Sequence, residues 1–224
     1  MKKLLAAVAT ATALLISAPA FAADILAEEP IVVVEPPPMW YVGVFAGAAW
    51  TPDFTGQMCG CDWDFTTDTG FALGVVVGTK VWDAMRVEVE LSGTSNDISG
   101  VYSEFYNTTF DGDSVDAVYL MGNLWYDFYV GNGFTPYVGG GIGVAWVSTG
   151  IDDFTPDLWE LDGSGFAYQL GAGVRFDVAQ NVGLDLGYRF KAVPGLDIDD
   201  DWGNTLEDID LSSHVFQVGL NFAF

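Results

Sequence analysis

A strict two-residue alternation recurs along this chain, and it is clearest in the last eleven residues, 214–224. Every second residue of this stretch is large and apolar: Phe216, Val218, Leu220, Phe222 and Phe224. Most residues between them are small or polar. An alternation of period two predicts a β-strand with two unlike faces. Because the stretch ends on an aromatic residue without a polar tail, we expect its apolar face to contact an apolar environment outside the chain.

The N-terminus has the features of an export signal. Lys2 and Lys3 precede an apolar run over residues 4–18, and Ala20-Phe21-Ala22 follows with small residues at both recognition positions. This order predicts a secretory signal peptide over residues 1–22. The alternative, an N-terminal membrane anchor, is disfavoured because the run is shorter than the ~20 residues a spanning helix needs.

Residues 23–39 contain the run 36–38 of three prolines and show no amphipathic pattern. We predict an extended, Pro-rich periplasmic segment there, with polyproline character. The remaining residues, 40–224, are predicted to form one domain.

Eight segments of this domain alternate with period two. They are residues 40–50, 70–82, 85–91, 115–127, 135–147, 165–178, 182–191 and 214–224. The connections between them are alternately short and long, and the long ones cover residues 51–69, 92–114, 149–164 and 192–213. Short turns at one end and long loops at the other are typical of an up-and-down membrane barrel. We therefore predict an all-β fold, an eight-stranded antiparallel transmembrane β-barrel with four long extracellular loops.

A soluble eight-stranded barrel is the competing interpretation, since it also alternates. It would place the Gly-rich, charge-poor stripe on the surface, whereas soluble surfaces are rich in Lys and Glu. In a membrane barrel the Val and Leu stripe contacts lipid, and Gly and Ala relieve crowding in a narrow lumen. Aromatic residues also gather at both predicted interfaces, as girdles do. They are Trp40, Tyr41, Trp82, Tyr126, Phe176 and Phe224 near the short turns, and Trp50, Trp146 and Phe166 near the long loops.

Several fragments in this order resemble a known family. They are Trp40-Tyr41-Val42-Gly43, residues 86–91 (RVEVEL), residues 135–143 (TPYVGGGIG) and the terminal Phe224. Over about residues 40–224 the chain resembles the small eight-stranded outer-membrane barrels of Gram-negative bacteria, the group with OmpX and the transmembrane domain of OmpA. The resemblance implies location in the cell outer membrane, contact with outer-membrane lipids, and recognition of the terminal strand by the barrel-assembly machinery. We expect a monomer.

The inward-facing polar residues form the first candidate site. They are Arg86, Glu88, Glu90, Asp127, Gln169, Arg175, Asp185, Arg189, Gln217 and Asn221. This set could line an ion path, or it could form an ion-paired plug. We favour the plug, because an eight-stranded interior is filled by side chains and buried charges must pair.

The charge of the chain is strongly acidic, with a formal net charge of −24. The five basic residues beyond the predicted signal peptide lie on predicted strands, so the long loops carry only acidic charge. This acidic charge argues against nucleic acid and anionic lipid as partners.

The spacing of Asp197, Asp199 and Asp201 resembles the start of a calcium loop. Trp202 stands where such a loop needs Gly, and the twelfth position is Asp208 rather than Glu. An EF-hand is therefore excluded. A looser site for a divalent cation remains an alternative to a solvated acidic surface.

Two further motifs have a chemical and a structural interpretation. Cys59 and Cys61 make a poor metal site, since they lie one residue apart with no His nearby, and we predict a local disulfide. His214 follows Ser212 and Ser213, and barrel enzymes that modify lipid A use a His with a Ser and an acid. The order here does not match that motif, so we interpret His214 as a rim residue.

We therefore assign no catalytic, cofactor-binding or metal residues. The expected function is that of a non-enzymatic outer-membrane barrel that serves envelope integrity, or surface interaction and adhesion through acidic loops. A small porin-like channel is the alternative, and a lipid A-modifying enzyme is third.

Overall fold

The computed structural model describes residues 40–58, 60–110, 112–151, 160–200 and 205–224. The predicted signal peptide and the Pro-rich segment 23–39 lie outside these residues and remain predictions. Within the described part, no helix has the length and apolar character needed to cross a membrane.

Eight long strands form the wall of a barrel. They are β1 (Trp40–Trp50), β4 (Gly70–Trp82), β5 (Met85–Ser103), β7 (Gly112–Asp127), β8 (Phe134–Ile151), β9 (Glu160–Ala179), β10 (Val182–Asp200) and β11 (Thr205–Ala223). Three short strands, β2 (Phe54–Met58), β3 (Cys61–Thr67) and β6 (Thr108–Phe110), lie in the connections. Each wall strand pairs antiparallel with the next, and β1 pairs with β11 to close the ring. The predicted eight-stranded antiparallel barrel is confirmed.

The terminal strand closes the barrel. Tyr41 lies opposite Ala223 and Trp50 opposite His214, in an unbroken antiparallel register. The backbone N–H of Phe224 donates to the carbonyl of Trp40 at 2.9 Å. Closure leaves no unpaired edge, which a sheet in hydrocarbon requires because no water is present to satisfy the backbone.

The wall strands are longer than the sequence predicts. β5 continues to Ser103 rather than residue 91, β10 continues to Asp200 rather than residue 191, and β11 begins at Thr205. Much of what was predicted as long loops is therefore strand. The alternation persists there, but the faces exchange character: Leu196 and Ile198 point inward, whereas Asp197 and Asp199 are exposed.

A short hairpin completes the wall above the ends of β1 and β4. β3 pairs with β5, with Trp63 opposite Ser103, and β2 contacts β11 through the pair Gln57 and Glu207. The hairpin thus takes the positions that β1 and β4 occupy lower in the barrel. We call β2, β3, β6 and the parts of β5 and β7–β11 beyond the level of Trp50 the upper extension.

The two halves of the barrel have different interiors. The lower lumen is polar, and an exposed apolar band surrounds it. That band includes Val44, Leu73, Val77, Val87, Val89, Leu91, Leu120, Leu124, Val138, Ile142, Val144, Leu170, Leu186, Val218, Leu220 and Phe222. The upper extension contains an apolar core. Its buried residues are Phe54, Trp63, Phe65, Ile98, Val101, Val115, Ala117, Tyr119, Met121, Ala145, Val147, Ala167, Val193, Leu196, Ile198, Leu206, Ile209 and Leu211. The polarity of the wall is therefore reversed where the apolar band ends.

Candidate functional site

The inward-facing polar set lies in the lower lumen, as predicted. Eight of its members are buried: Arg86, Glu88, Glu90, Asp127, Gln169, Asp185, Arg189 and Gln217. The other two, Arg175 and Asn221, are half-buried. Strand periodicity alone places these side chains inside, because successive residues of a strand point to opposite faces.

Arg86 organises the lower network of the lumen. Its Nε donates to both carboxylate oxygens of Asp127, at 2.9 and 2.8 Å, and its Nη1 donates to Glu88 Oε1 at 2.7 Å. The Tyr41 hydroxyl also donates to Glu88 Oε1, and Trp125 Nε1 donates to Glu88 Oε2 at 2.6 Å. Both carboxylates and the guanidinium are at most 8 % exposed. Desolvated charges of this kind need extensive pairing, and in this network only Arg86 Nη2 makes no hydrogen bond within the described part of the chain.

Arg189 crosses the lumen at the next level. Its guanidinium carbon lies 4.2 Å from the ring centroid of Trp125, and its Nη2 donates to the Tyr137 hydroxyl at 3.0 Å. That hydroxyl donates in turn to Asp185 Oδ1 at 2.8 Å. Cation–π contact and a hydroxyl relay hold this arginine.

Glu90 is the centre of a third network. It forms an ion pair with Lys191, whose Nζ also donates to Ser92 Oγ at 2.8 Å. Asn123 Nδ2 and Gln169 Nε2 donate to Glu90 Oε2 at 3.0 and 2.9 Å. Together the three networks place charged and hydrogen-bonded side chains across the lumen, which is the arrangement expected of a plug.

Sequence reasoning missed several lumen residues. Tyr41 was predicted in the aromatic girdle, but it is 6 % exposed and lies in the lumen. Trp125, Tyr137 and Lys191 are also buried there. The signal was present, because each shares strand parity with inward-facing residues. Large aromatic or long basic side chains were simply not expected in so narrow a space.

Glycines provide the space for these large side chains. A Cβ at Gly171 would lie 2.7 Å from Arg189 Cδ, and a Cβ at Gly187 would lie 2.9 Å from the Tyr137 hydroxyl. Both distances are too short for real carbon contacts. The Gly-rich stripe therefore faces the lumen, as predicted.

Aromatic residues lie at both ends of the apolar band. Trp40, Trp82 and Phe224 are 50 %, 67 % and 70 % exposed near the short turns. Trp50 and Trp146 are 54 % and 49 % exposed at the opposite end of the band. These positions suit the two headgroup regions of a bilayer.

The acidic residues Asp197 and Asp199 form hydrogen bonds within the β10–β11 hairpin. Asp197 Oδ1 accepts the backbone N–H of Asp208 at 3.0 Å, and Asp199 Oδ1 accepts the Thr205 hydroxyl at 2.7 Å. Asp201 lies outside the described residues. Within the described ranges, no group of three or more His, Cys, Asp or Glu side chains is placed to hold a metal ion. The described carboxylates thus stabilise the hairpin itself, where Asp208 has a φ of 59°.

The predicted disulfide joins Cys59 and Cys61. Cys59 lies outside the described residues, whereas Cys61 begins β3 and is half-buried. The pairing of the two cysteines remains a prediction.

His214 lies in an aromatic cluster on the outer face. Its ring centroid is 5.3 Å from that of Trp50, and its Nδ1 is 2.6 Å from the Tyr188 hydroxyl. Ser213 is 1 % exposed and faces the opposite side of the strand. No carboxylate of the described residues forms a hydrogen bond with His214. Ser213 therefore does not lie beside His214 as a catalytic nucleophile would.

Comparison with known proteins identifies the architecture. The family model described as "Outer membrane protein beta-barrel domain" matches residues 8–224. Uncharacterized proteins of Brucella abortus and Brucella suis are 31 % identical over 155 residues, which is 59 % of this chain and 55 % of each relative. The chain thus spans about half the length of the curated relatives it matches.

Solved structures share the same fold at low sequence identity. Neisserial surface protein A is 17 % identical with a TM-score of 0.54, and the match covers 83 % of this chain and 97 % of that one. The outer membrane protein OprG of Pseudomonas aeruginosa is 15 % identical with a TM-score of 0.52, over 84 % and 98 % of the two chains.

Proposed function

The chain belongs to the outer membrane protein β-barrel family, and from that premise we propose that it is a non-enzymatic envelope protein whose upper extension contacts cationic partners at the cell surface. The protein is located in the outer membrane. The observation that carries the proposal is the upper extension, a β-structure with an apolar core and an outer surface whose charges are all acidic.

The exposed charged residues of the upper extension are acidic. Its exposed charged residues include Asp62, Asp64, Asp97, Glu104, Asp162, Asp197, Asp199, Glu207, Asp208 and Asp210. The described basic residues all lie lower, on β4, β5, β9 and β10. A surface of one sign steers oppositely charged partners and repels polyanions.

Exposed aromatic residues stand at one tip of this surface. Phe105 and Tyr106, in the turn between β5 and β6, are 68 % and 52 % exposed. They lie far from the apolar band, so lipid contact does not explain them. Glu104 is in the same turn, and its N–H donates to the Asp62 carbonyl at 3.1 Å. Aromatic faces beside carboxylates suit Lys and Arg side chains, through cation–π contact and ion pairing.

The rival functions have less support. A channel needs a continuous path, and the three networks of lumen side chains would obstruct one. A lipid A-modifying enzyme needs a Ser–His–acid arrangement, whereas Ser213 faces away from His214 and no carboxylate of the described residues forms a hydrogen bond with that histidine.

The test is a binding measurement on the folded protein in lipid nanodiscs, with oligo-lysine and oligo-glutamate as probes. We expect saturable, salt-sensitive binding of oligo-lysine only. A tip variant with Asp62→Asn, Asp64→Asn, Glu104→Gln and Phe105→Ser should lose most of that binding. A control with the same change in charge elsewhere, Asp97→Asn, Asp162→Asn and Glu207→Gln, should retain it. No binding of oligo-lysine would overturn the proposal. Equal loss of oligo-lysine binding in both variants would show that the contact does not lie at the tip.

A further inference from the structure

Arg189 and Asp185 are buried charges without a direct ionic partner. They are 5 % and 7 % exposed, and neither belongs to the three ion pairs found among the described residues. Tyr137 links them on one side, as described above. On the other side, Arg189 Nε makes no hydrogen bond to any described residue. A buried guanidinium N–H without an acceptor is strongly unfavourable, so an acceptor is expected there.

A small cavity lies beside this group. Its volume is about 20 Å³, and Glu88, Asp185, Arg189, Gln217 and Asn221 contribute the charged and amide groups of its lining. Gln217 is 7 % exposed, and its Oε1 makes no hydrogen bond within the described part of the chain. The residue with the unpartnered donor and the residue with the unpartnered acceptor therefore line the same cavity.

The volume of the cavity and the polar groups around it determine whether water, an anion or a metal cation fits. A volume of this order holds one water molecule, and buried waters typically make about three hydrogen bonds to polar groups. An anion would lie against the carboxylates of Glu88 and Asp185 and could not donate to Gln217. A metal cation would lie against Arg189 and could not accept its N–H. Water alone of these three both accepts and donates.

We propose that one ordered water molecule occupies this cavity, accepts the Nε–H of Arg189, and donates to Gln217 Oε1 and the Asp185 carboxylate. It bridges β10 and β11 and gives Asp185 and Arg189 a second link beside Tyr137. This site is independent of the surface contacts proposed above, and it makes solvent a structural part of the plug.

The experiment is water-selective NMR on the folded, isotope-labelled protein in micelles. The Nε–H of Arg189, assigned by its disappearance in Arg189→Lys, should show a cross-relaxation peak to a long-lived water. Arg86 provides a control in the same molecule, because its Nε donates to Asp127. The Nε–H of Arg86 should show no such peak. Absence of the peak at Arg189, or peaks of equal size at both arginines, would overturn the proposal.

A pair of variants gives a second test. Gln217→Leu removes the acceptor and fills the cavity, so the Arg189 peak should be lost. Val218→Leu, on the lipid-facing side of the same strand, should keep the peak. Retention of the peak in a folded Gln217→Leu protein would contradict the site, and if that variant does not fold, the comparison of the two arginines still decides.

Discussion

Lys191 and Glu90 form an ion pair in the lumen, with side chains only 1 % and 2 % exposed. The pair is embedded in further contacts, since the ammonium also lies 4.6 Å from the ring centroid of Tyr119. Removal of one partner from such a pair leaves an uncompensated charge in a desolvated site. Single residues of the lumen should therefore have large effects on stability.

We expect Lys191→Met to lower the free energy of unfolding by about 3–5 kcal/mol, because Glu90 is left without its cation. Urea titration of the protein in lipid vesicles measures this value. Asp97→Asn, an exposed change on β5, should alter it by less than about 0.5 kcal/mol. If the Lys191 and Asp97 variants were equally stable, Glu90 would not depend on Lys191.

Neighbouring small residues on β9 should respond in opposite ways to an added side chain. Gly171→Val would force a Cβ against Arg189 and should prevent compact folding, seen as loss of heat-modifiable gel migration. Ala172→Val adds a similar group on the lipid face, where space is free, and should leave migration unchanged. Normal folding of both variants would show that the lumen is not tightly filled.

The inward-facing residues of the lumen could be predicted from the sequence, but their partners could not. Parity along each strand identified the inward-facing polar set correctly. It could not identify partners, because Glu90 and Lys191 are 101 positions apart and their contact depends on the stagger of the strands around the barrel. The hydrogen-bond partners of Tyr41 and Tyr137 depend on the same stagger, so parity alone could not identify them.

The β2–β3 hairpin is the element that turns the upper extension into a closed structure. Phe65 is 1 % exposed and stacks on Phe54 with ring centroids 4.7 Å apart. Asn96 fixes the base of the hairpin, since its Nδ2 donates to the carbonyls of Ala49 and Asp68 at 3.0 and 2.9 Å. The hairpin meets β11 through one registered pair, Gln57 and Glu207. On the side of β11 the hairpin is therefore held mainly by apolar contacts, whereas on the other side β3 pairs with β5.

Phe65→Ala should destabilise the upper extension by about 3–5 kcal/mol through loss of buried aromatic contact. Hydrogen exchange should increase on β2, β3 and the upper part of β5, while the lower strands stay protected. Phe71→Ala, at a lipid-facing residue that is 52 % exposed, is the control and should leave that exchange unchanged. Uniform exchange changes over the whole barrel would contradict separate cores.

The terminal strand closes the barrel, and we propose that it is also recognised during assembly. Phe224 is 70 % exposed, so Phe224→Ala removes little buried contact. We expect normal refolding of the purified variant but reduced outer-membrane levels in cells, because the terminal aromatic resembles the assembly signal of this family. Leu220→Ala is the control on the same face. Equal levels of the Phe224 variant and the native protein would show that the terminal aromatic is not required for assembly.

At the scale of elements, the sequence predicted the number, order and pairing of the wall strands. Their length was underestimated, because the apolar stripe ends at Leu91 on β5 and Phe190 on β10 although the strands continue. The hairpin was not predicted, since β2 and β3 are short and complete a wall that is visible only once the upper ends of β5 and β11 are placed.

The whole molecule is a barrel with two interiors, a polar one inside the membrane band and an apolar one above it. Four acidic and four basic side chains meet in the lower lumen: Glu88, Glu90, Asp127 and Asp185 with Arg86, Arg175, Arg189 and Lys191. Their formal charges cancel, whereas the upper extension is acidic. The sequence predicted this separation from the positions of its basic residues. It could not show that the acidic surface is carried by extended strands.

The central claim is that the lumen is a plug and that function resides on the outer surface. Single-channel recording of the folded monomer in planar bilayers tests it most directly, with a barrel of open lumen as the positive control. We predict no discrete conductance steps from this protein under conditions in which the control conducts. Reproducible steps of uniform size from the folded monomer would contradict the account.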